Sequence, residues 1–158
     1  MAHLYRVTVA WSRDGDFAAG TYSRGHEWRL DGLTVPASAS PQVVKLPLSR
    51  DDAVDPEEAF VASLSSCHML WFLDLAQQKG FVVESYEDDA EGTMARLETR
   101  RWWVDTVTLR PRAVFAEGRG PDAATLAALH EEAHHLCFIA NSVRTEVTVE
   151  PVAASADS

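Results

Sequence analysis

The sequence predicts an α+β fold built as a single domain. Three observations predict it: strand-like alternation near the start, a capped apolar helix in the middle, and a second helix followed by one more strand. The order strands, helix, strands, helix, strand is that of an α+β domain. The length fits, because 158 residues make one domain with a sizeable core. Hydrophobic residues are 46% of the chain and charged residues 24%, an ordinary globular balance.

Tyr5, Val7, Val9 and Trp11 alternate with Arg6, Thr8 and Ala10, the period of a half-buried strand. Arg13-Asp14-Gly15-Asp16 is turn chemistry, and Thr21 to Leu30 reads as the returning strand. Asp31-Gly32 makes another turn. Thr34 to Leu48 is extended, but Pro36, Pro41 and Pro47 confine it to edge strand or loop. Asp55 as N-cap, Pro56 at the first helical position and Glu58 as partner in a capping box then start a helix. It runs to about Lys79, with Gly80 as its stop. Its middle is apolar nearly all round, which places it inside a protein or inside an assembly. Phe81 to Thr93 and Thr99 to Phe115 read as two or more strands, Pro121 to Leu136 as a helix and Val143 to Val149 as a closing strand. The domain spans residues 1–152, and residues 153–158 form a frayed tail.

Composition narrows the function. Fourteen basic and 24 acidic residues give a net charge of −10, which opposes binding to nucleic acid or to an anionic membrane surface. Lys45 and Lys79 are the only lysines, so most of the positive charge is guanidinium, which survives burial. No Gly-rich loop cradles a phosphate and no Gly-x-Ser-x-Gly elbow appears. Arg100-Arg101-Trp102-Trp103 reads as a strand with one wet face. The apolar run Ala59 to Ala76 holds three serines, His68 and Asp74, so it is a buried helix and no membrane span. No basic region followed by an apolar one opens the chain. Two cysteines are too few for a secreted disulfide framework, and the expected location is cytoplasmic.

His130-Glu131-Glu132-Ala133-His134 matches the H-E-x-x-H pattern of zinc proteases. The alternative is a wet helix face carrying polar residues. The cysteines are the better lead. Ser65-Ser66-Cys67-His68 puts polar groups in the middle of an apolar helix, and Ala133-His134-His135-Leu136-Cys137-Phe138 does the same at the end of the second. Two polar clusters, each around a cysteine, suggest that the thiols meet in one site.

The stretch Asp55-Pro56-Glu57-Glu58-Ala59-Phe60-Val61-Ala62-Ser63-Leu64-Ser65-Ser66-Cys67 resembles the central-helix signature of the OsmC/Ohr family, named for osmotically inducible protein C and organic hydroperoxide resistance protein. The stretch from Ala133 to Val143 resembles its second-cysteine motif, and the resemblance covers residues 4 to 151. It implies an intertwined dimer and a thiol peroxidase acting on organic hydroperoxides, without a cofactor or a catalytic metal. Cys67 matches the peroxidatic cysteine, Cys137 the resolving cysteine, and Glu57 the glutamate that follows the proline. For the activating arginine, the hairpin type of the family points to Arg24, with Arg29 and Arg50 as substitutes. The other type uses the extended segment, where this sequence offers Lys45 and Arg50. The resemblance also implies a disulfide between Cys67 and Cys137, reopened by an external dithiol such as a lipoyl protein.

A free thiol titrates near pH 8.5, so only a few per cent is thiolate at neutral pH. Cys67 lies 12 residues past the N-cap, beyond reach of the helix dipole; a guanidinium within about 4–6 Å would lower its pKa, and the resemblance implies such an arginine with Glu57 orienting it. Trp71, Phe72 and Phe138 flank the cysteines as pocket wall or as core. Glu57 and Cys67 are roughly 15 Å apart along one helix and some 80° apart around it. If both are catalytic, Glu57 is expected to come from the partner subunit; the competing reading is a monomer in which Glu57 only favours the helix N-terminus. Two other readings remain: a zinc-binding protein using Cys67, His68, His134 and Cys137, and a binding module that lost turnover.

Overall fold

The structure, a computed structural model, describes residues 2–153. They form α+β architecture in two compact units that divide between Ala59 and Phe60. In the first unit, β1 (Thr8–Ala10), β4 (His26–Leu30) and β5 (Leu33–Ala37) make an antiparallel sheet in the order β1-β4-β5, and β2 (Gly15–Asp16) pairs with β3 (Thr21–Tyr22). Asp31 and Gly32 both take positive φ, the conformation of a two-residue hairpin turn, and so join β4 to β5. Pro36 lies on β5, an edge strand, where a missing N–H costs no ladder bond. The extended reading of Thr34 to Leu48 shortens to β5, and turns follow.

The N-terminal alternation misleads about burial. Tyr5, Val7, Val9 and Trp11 are all exposed, Tyr5 at 87% and Val9 at 64%. Only Thr8–Ala10 pairs as a strand. The apolar stripe is real, but nothing in the described chain covers it.

Helix α1 (Pro56–Gln78) begins as its sequence dictates. The Asp55 carboxylate accepts the Glu58 amide at 2.8 Å, and the Asp55 amide donates back to the Glu58 carboxylate, a capping box. Gly80 ends the helix with φ +80°, which a side chain would strain. The Phe81 amide reaches the Ala76 carbonyl and the Gly80 amide that of Gln77.

In the second unit, β6 (Val83–Asp88) pairs with β9 (Pro111–Phe115), and β10 (Glu146–Val149), β8 (Arg101–Leu109) and β7 (Glu91–Glu98) form a sheet in that order. β10 runs parallel to β8 and β7 antiparallel to it. α2 (Ala123–Leu136) is capped by Asp122, whose carboxylate accepts the Thr125 amide. The chain breaks at Asp89-Ala90, so Phe81 to Thr93 holds β6 and the start of β7, and the last strand starts at Glu146 rather than Val143. The expected tail beyond Ala153 lies outside the described residues.

α1 buries one stripe, Leu64, His68, Phe72, Leu75 and Ala76, at helical spacing. Leu64 packs on Val107 and Leu109, and Phe72 and Leu75 on Leu129 and Ala133 of α2. Among the described residues α1 is the one helix with the length and apolarity of a membrane span. Asp74 and its packing into both core clusters make it an interior helix. Close approach needs Gly92 on β7, because a Cβ there would stand 2.5 Å from Val61 Cγ2. The described chain does not cover α1 on every side, since Leu70 is 61% exposed.

Candidate active site

The two cysteines belong to the second unit, on the helices that pack through Phe72 and Leu129. Cys67 sits in mid-helix, half-buried. Cys137 is the C-cap of α2, 1% exposed. Its amide donates to the His134 carbonyl, and its sulfur accepts the Ala140 amide at 3.4 Å. Both thiols are free, and Cys67 is near enough to Cys137 to act on its titration. Burial first, then the neighbouring Cys67, pushes the Cys137 pKa up to about 11. A raised pKa means that Cys137 holds its proton at neutral pH.

The polar neighbours divide. Ser65 is turned away from chemistry, because its hydroxyl donates to the Asp88 carboxylate, which also accepts the Arg110 amide. Phe72 is core, fully buried and stacked on the His130 ring at 4.3 Å. Trp71 and Phe138 meet edge to face at 5.4 Å. Phe138 is 68% exposed, so these two rings lie at the surface beside the cysteines.

The H-E-x-x-H motif is neither a metal site nor a wet face. His130 points into the protein, and its Nδ1 lies 3.0 Å from Nε2 of His68 on α1. The two rings are nearly parallel, at 4°. Both imidazoles fall to about pKa 4. Burial is the main cause for each, and for His68 the nearby His130 and His134 add to it. Both are therefore neutral at pH 7. Among the described residues no three His, Cys, Asp or Glu side chains converge as metal ligands would. The zinc reading has no geometry behind it. Sequence reasoning missed the His68–His130 pair, although a histidine on the apolar stripe of α1 was its one available signal.

Arg24 and Glu57 belong to the first unit. The Arg24 guanidinium lies over the Tyr22 ring, 3.8 Å from its centre, and its Nη1 donates to the carbonyls of Gly20 and Tyr22. The backbone there is held on two sides. The Arg24 amide donates to the Leu48 carbonyl, and His26 Nδ1 meets the Arg24 carbonyl at 2.8 Å. Trp28 Nε1–H donates to His26 Nε2, so the proton of a neutral His26 is on Nδ1 and points at that carbonyl. Among the described residues Arg24 makes no ion pair, with Glu57 or any other carboxylate. Of its substitutes, Arg29 is paired with Glu27 and Arg50 with Asp52. Arg24 stands in the wall of a mainly apolar cavity of about 460 Å³, with Val9, Trp11, Phe17 and Tyr22. The three aromatic rings pack on one another at 4.7–6.1 Å. The sequence hid this cavity because Trp11 read as one more residue of a half-buried strand.

Residues 49–152 match the family model for OsmC-like protein. The chain belongs to the OsmC-like family. Members of this OsmC/Ohr group include organic hydroperoxide resistance proteins. An OsmC-like protein of unknown function from Vibrio cholerae is 45% identical, with a TM-score of 0.92 over 96% of this chain and 100% of that one. An organic hydroperoxide resistance protein from Legionella pneumophila is similar in fold, at 18% identity and TM-score 0.66, over 97% and 99% of the two chains. One from Bacillus subtilis gives 16% and 0.61, over 96% and 100%. At that identity they share the fold alone. No curated protein matches the chain.

Proposed function

We propose that this OsmC-like chain is a thiol-dependent peroxidase that reduces organic hydroperoxides to alcohols. The observation that carries the reading is the pair of free thiols, with Cys67 half-exposed and the buried Cys137 near enough for Cys67 to act on its titration. Of the two, Cys67 is the accessible sulfur. Its thiolate attacks the terminal oxygen of ROOH, the O–O bond breaks, and RO⁻ takes a proton to leave as alcohol. Cys67 is left as a sulfenic acid. The Cys137 sulfur then attacks the Cys67 sulfur, closing a disulfide and releasing the oxygen as water. An external dithiol, of which a lipoyl protein is one, reopens the bond by exchange and is itself oxidised.

Support for a hydrophobic substrate comes from Trp71 and Phe138 at the surface, and from the apolar cavity that holds Arg24. The activating cation is assigned to Arg24 because Arg29 and Arg50 are already paired. The bare stripe Leu4, Tyr5, Val7 and Val9 and the exposed Leu70 of α1 fit a homodimer, since large uncovered apolar patches mark association surfaces. In that dimer Glu57 serves the partner's thiol site. The location is proposed to be cytoplasmic, where two free thiols stay reduced.

The deciding experiment is steady-state consumption of cumene hydroperoxide in the presence of reduced dihydrolipoamide. Turnover supports an enzyme, and its absence supports a binding protein on the same fold. Arg24→Ala is expected to slow peroxide reduction at least tenfold, about 1.4 kcal/mol, and to move the alkylation profile of Cys67 to higher pH. An unchanged profile would assign activation to another cation.

A further inference from the structure

Two helices that carry a redox pair must be held in one register, and apolar packing holds register poorly. Leucine and phenylalanine side chains tolerate sliding and repacking, whereas a buried hydrogen bond has one geometry and a cost if it is lost. Among the described residues, the α1–α2 interface contains one such bond among the apolar side chains of its core, His68 to His130.

The pair is built for this role. His68 is 1% and His130 3% exposed. Their rings are nearly coplanar in orientation, and Phe72 covers the His130 face. Among the described residues His68 Nδ1 is buried with no partner. A bare lone pair is cheaper to leave there than an N–H, so the proton of His68 is on Nε2 and donates to His130 Nδ1. One tautomer thus satisfies the contact.

Its place relative to the thiols gives it leverage. His68 directly follows Cys67, and His130 precedes Cys137 by two helical turns, about 10 Å along α2. The imidazole contact and the thiol contact are therefore level on α1 and well separated on α2. Together they fix the rotation of α2 on α1 as well as its distance. A disulfide needs Cα atoms within roughly 4.4–6.8 Å and a narrow range of dihedral angle, so small rotations matter.

We propose that His68 and His130 are positioning residues whose hydrogen bond holds α1 and α2 in the register that lets Cys137 close on Cys67. This inference rests on the Cys67–Cys137 pairing of the proposed function. It goes beyond it by giving the resolving step its own structural determinant. His134 also lies near His68, but its Nδ1 has no partner among the described residues, so it adds no clamp.

The test uses glutathione redox buffers and no peroxide. The ratio of Cys67–Cys137 disulfide to dithiol is measured at a fixed ratio of oxidised to reduced glutathione. His68→Phe keeps a ring and loses the donor, and the ratio is expected to fall at least tenfold, or about 30 mV. His68→Gln keeps a nitrogen donor near the position of Nε2, and the ratio is expected within twofold of the original. Should His68→Phe not fold, His130→Phe removes the same bond from α2. In a Cys137→Ser background, His68→Phe should leave the rate of sulfenate formation at Cys67 within twofold. Equal ratios in Phe and Gln variants would overturn the proposal, as would equal losses in sulfenate formation and in disulfide closure. A protein that forms the disulfide in glutathione yet turns over no hydroperoxide would refute the peroxidase reading and leave this one standing.

Discussion

Cys67→Ser is expected to abolish hydroperoxide turnover, while Cys137→Ser completes one stoichiometric reaction and then stops. The asymmetry follows from how the fold treats two chemically identical side chains. Cys137 is 1% exposed, and its pKa is pushed up to about 11. At pH 7 only about one molecule in 10⁴ then carries its thiolate, too few to compete for peroxide. Cys67 is half-buried in mid-helix and reachable from solvent. Deleting Cys67 removes the only accessible nucleophile. Deleting Cys137 leaves that nucleophile but removes the thiol that resolves its sulfenic acid. Trapping with a 1,3-diketone and intact-mass measurement should find one adduct per chain in Cys137→Ser and none in Cys67→Ser. Full activity in Cys67→Ser would dismiss the assignment.

How much of this was legible in the sequence differs from element to element. The start of α1 was written locally: Asp55, Pro56 and Glu58 lie within four residues, and their capping box forms as the spacing dictates. The α+β class followed from element order. Two other features were illegible because they depend on partners distant in sequence or absent from it. The Tyr5–Trp11 alternation specifies an apolar face but cannot say what covers it, and in this chain the face is bare. His130 looked like half of a metal motif because its neighbour in sequence is His134. Its neighbour in space is His68, 62 residues away. The serine two residues before Cys67 carries the same lesson, since Ser65 is polar for the sake of Asp88 on β6 and not for the thiol. Polar residues on an apolar helix therefore mark a buried contact. Only packing reveals which contact it is.

The buried histidine pair also predicts a specific loss of stability in mild acid. Each imidazole titrates near pH 6.5 in an unfolded chain and near 4 in the folded one. Between those values the unfolded state binds protons that the native state refuses, so stability rises with pH across the window. Above pH 6.5 the effect is flat. As pH falls from 6.5 to 4 it costs about 3 kcal/mol for either ring alone. Protonation of one ring makes the second harder to protonate, so the two titrate as a unit. Carboxylates do not imitate this signature. Asp52, held low by the Arg50 guanidinium, and Asp122, held low by the Thr125 amide, lose their stabilisation below about pH 4, where the histidine effect has ended. Urea unfolding at pH 7.0, 5.5 and 4.5 should show the midpoint falling steadily for the natural sequence. The His68→Gln/His130→Asn double variant keeps a polar contact but has no imidazole to protonate. Its midpoint should change far less over the same range. Parallel curves for the two proteins would mean that the pair is not what acid attacks.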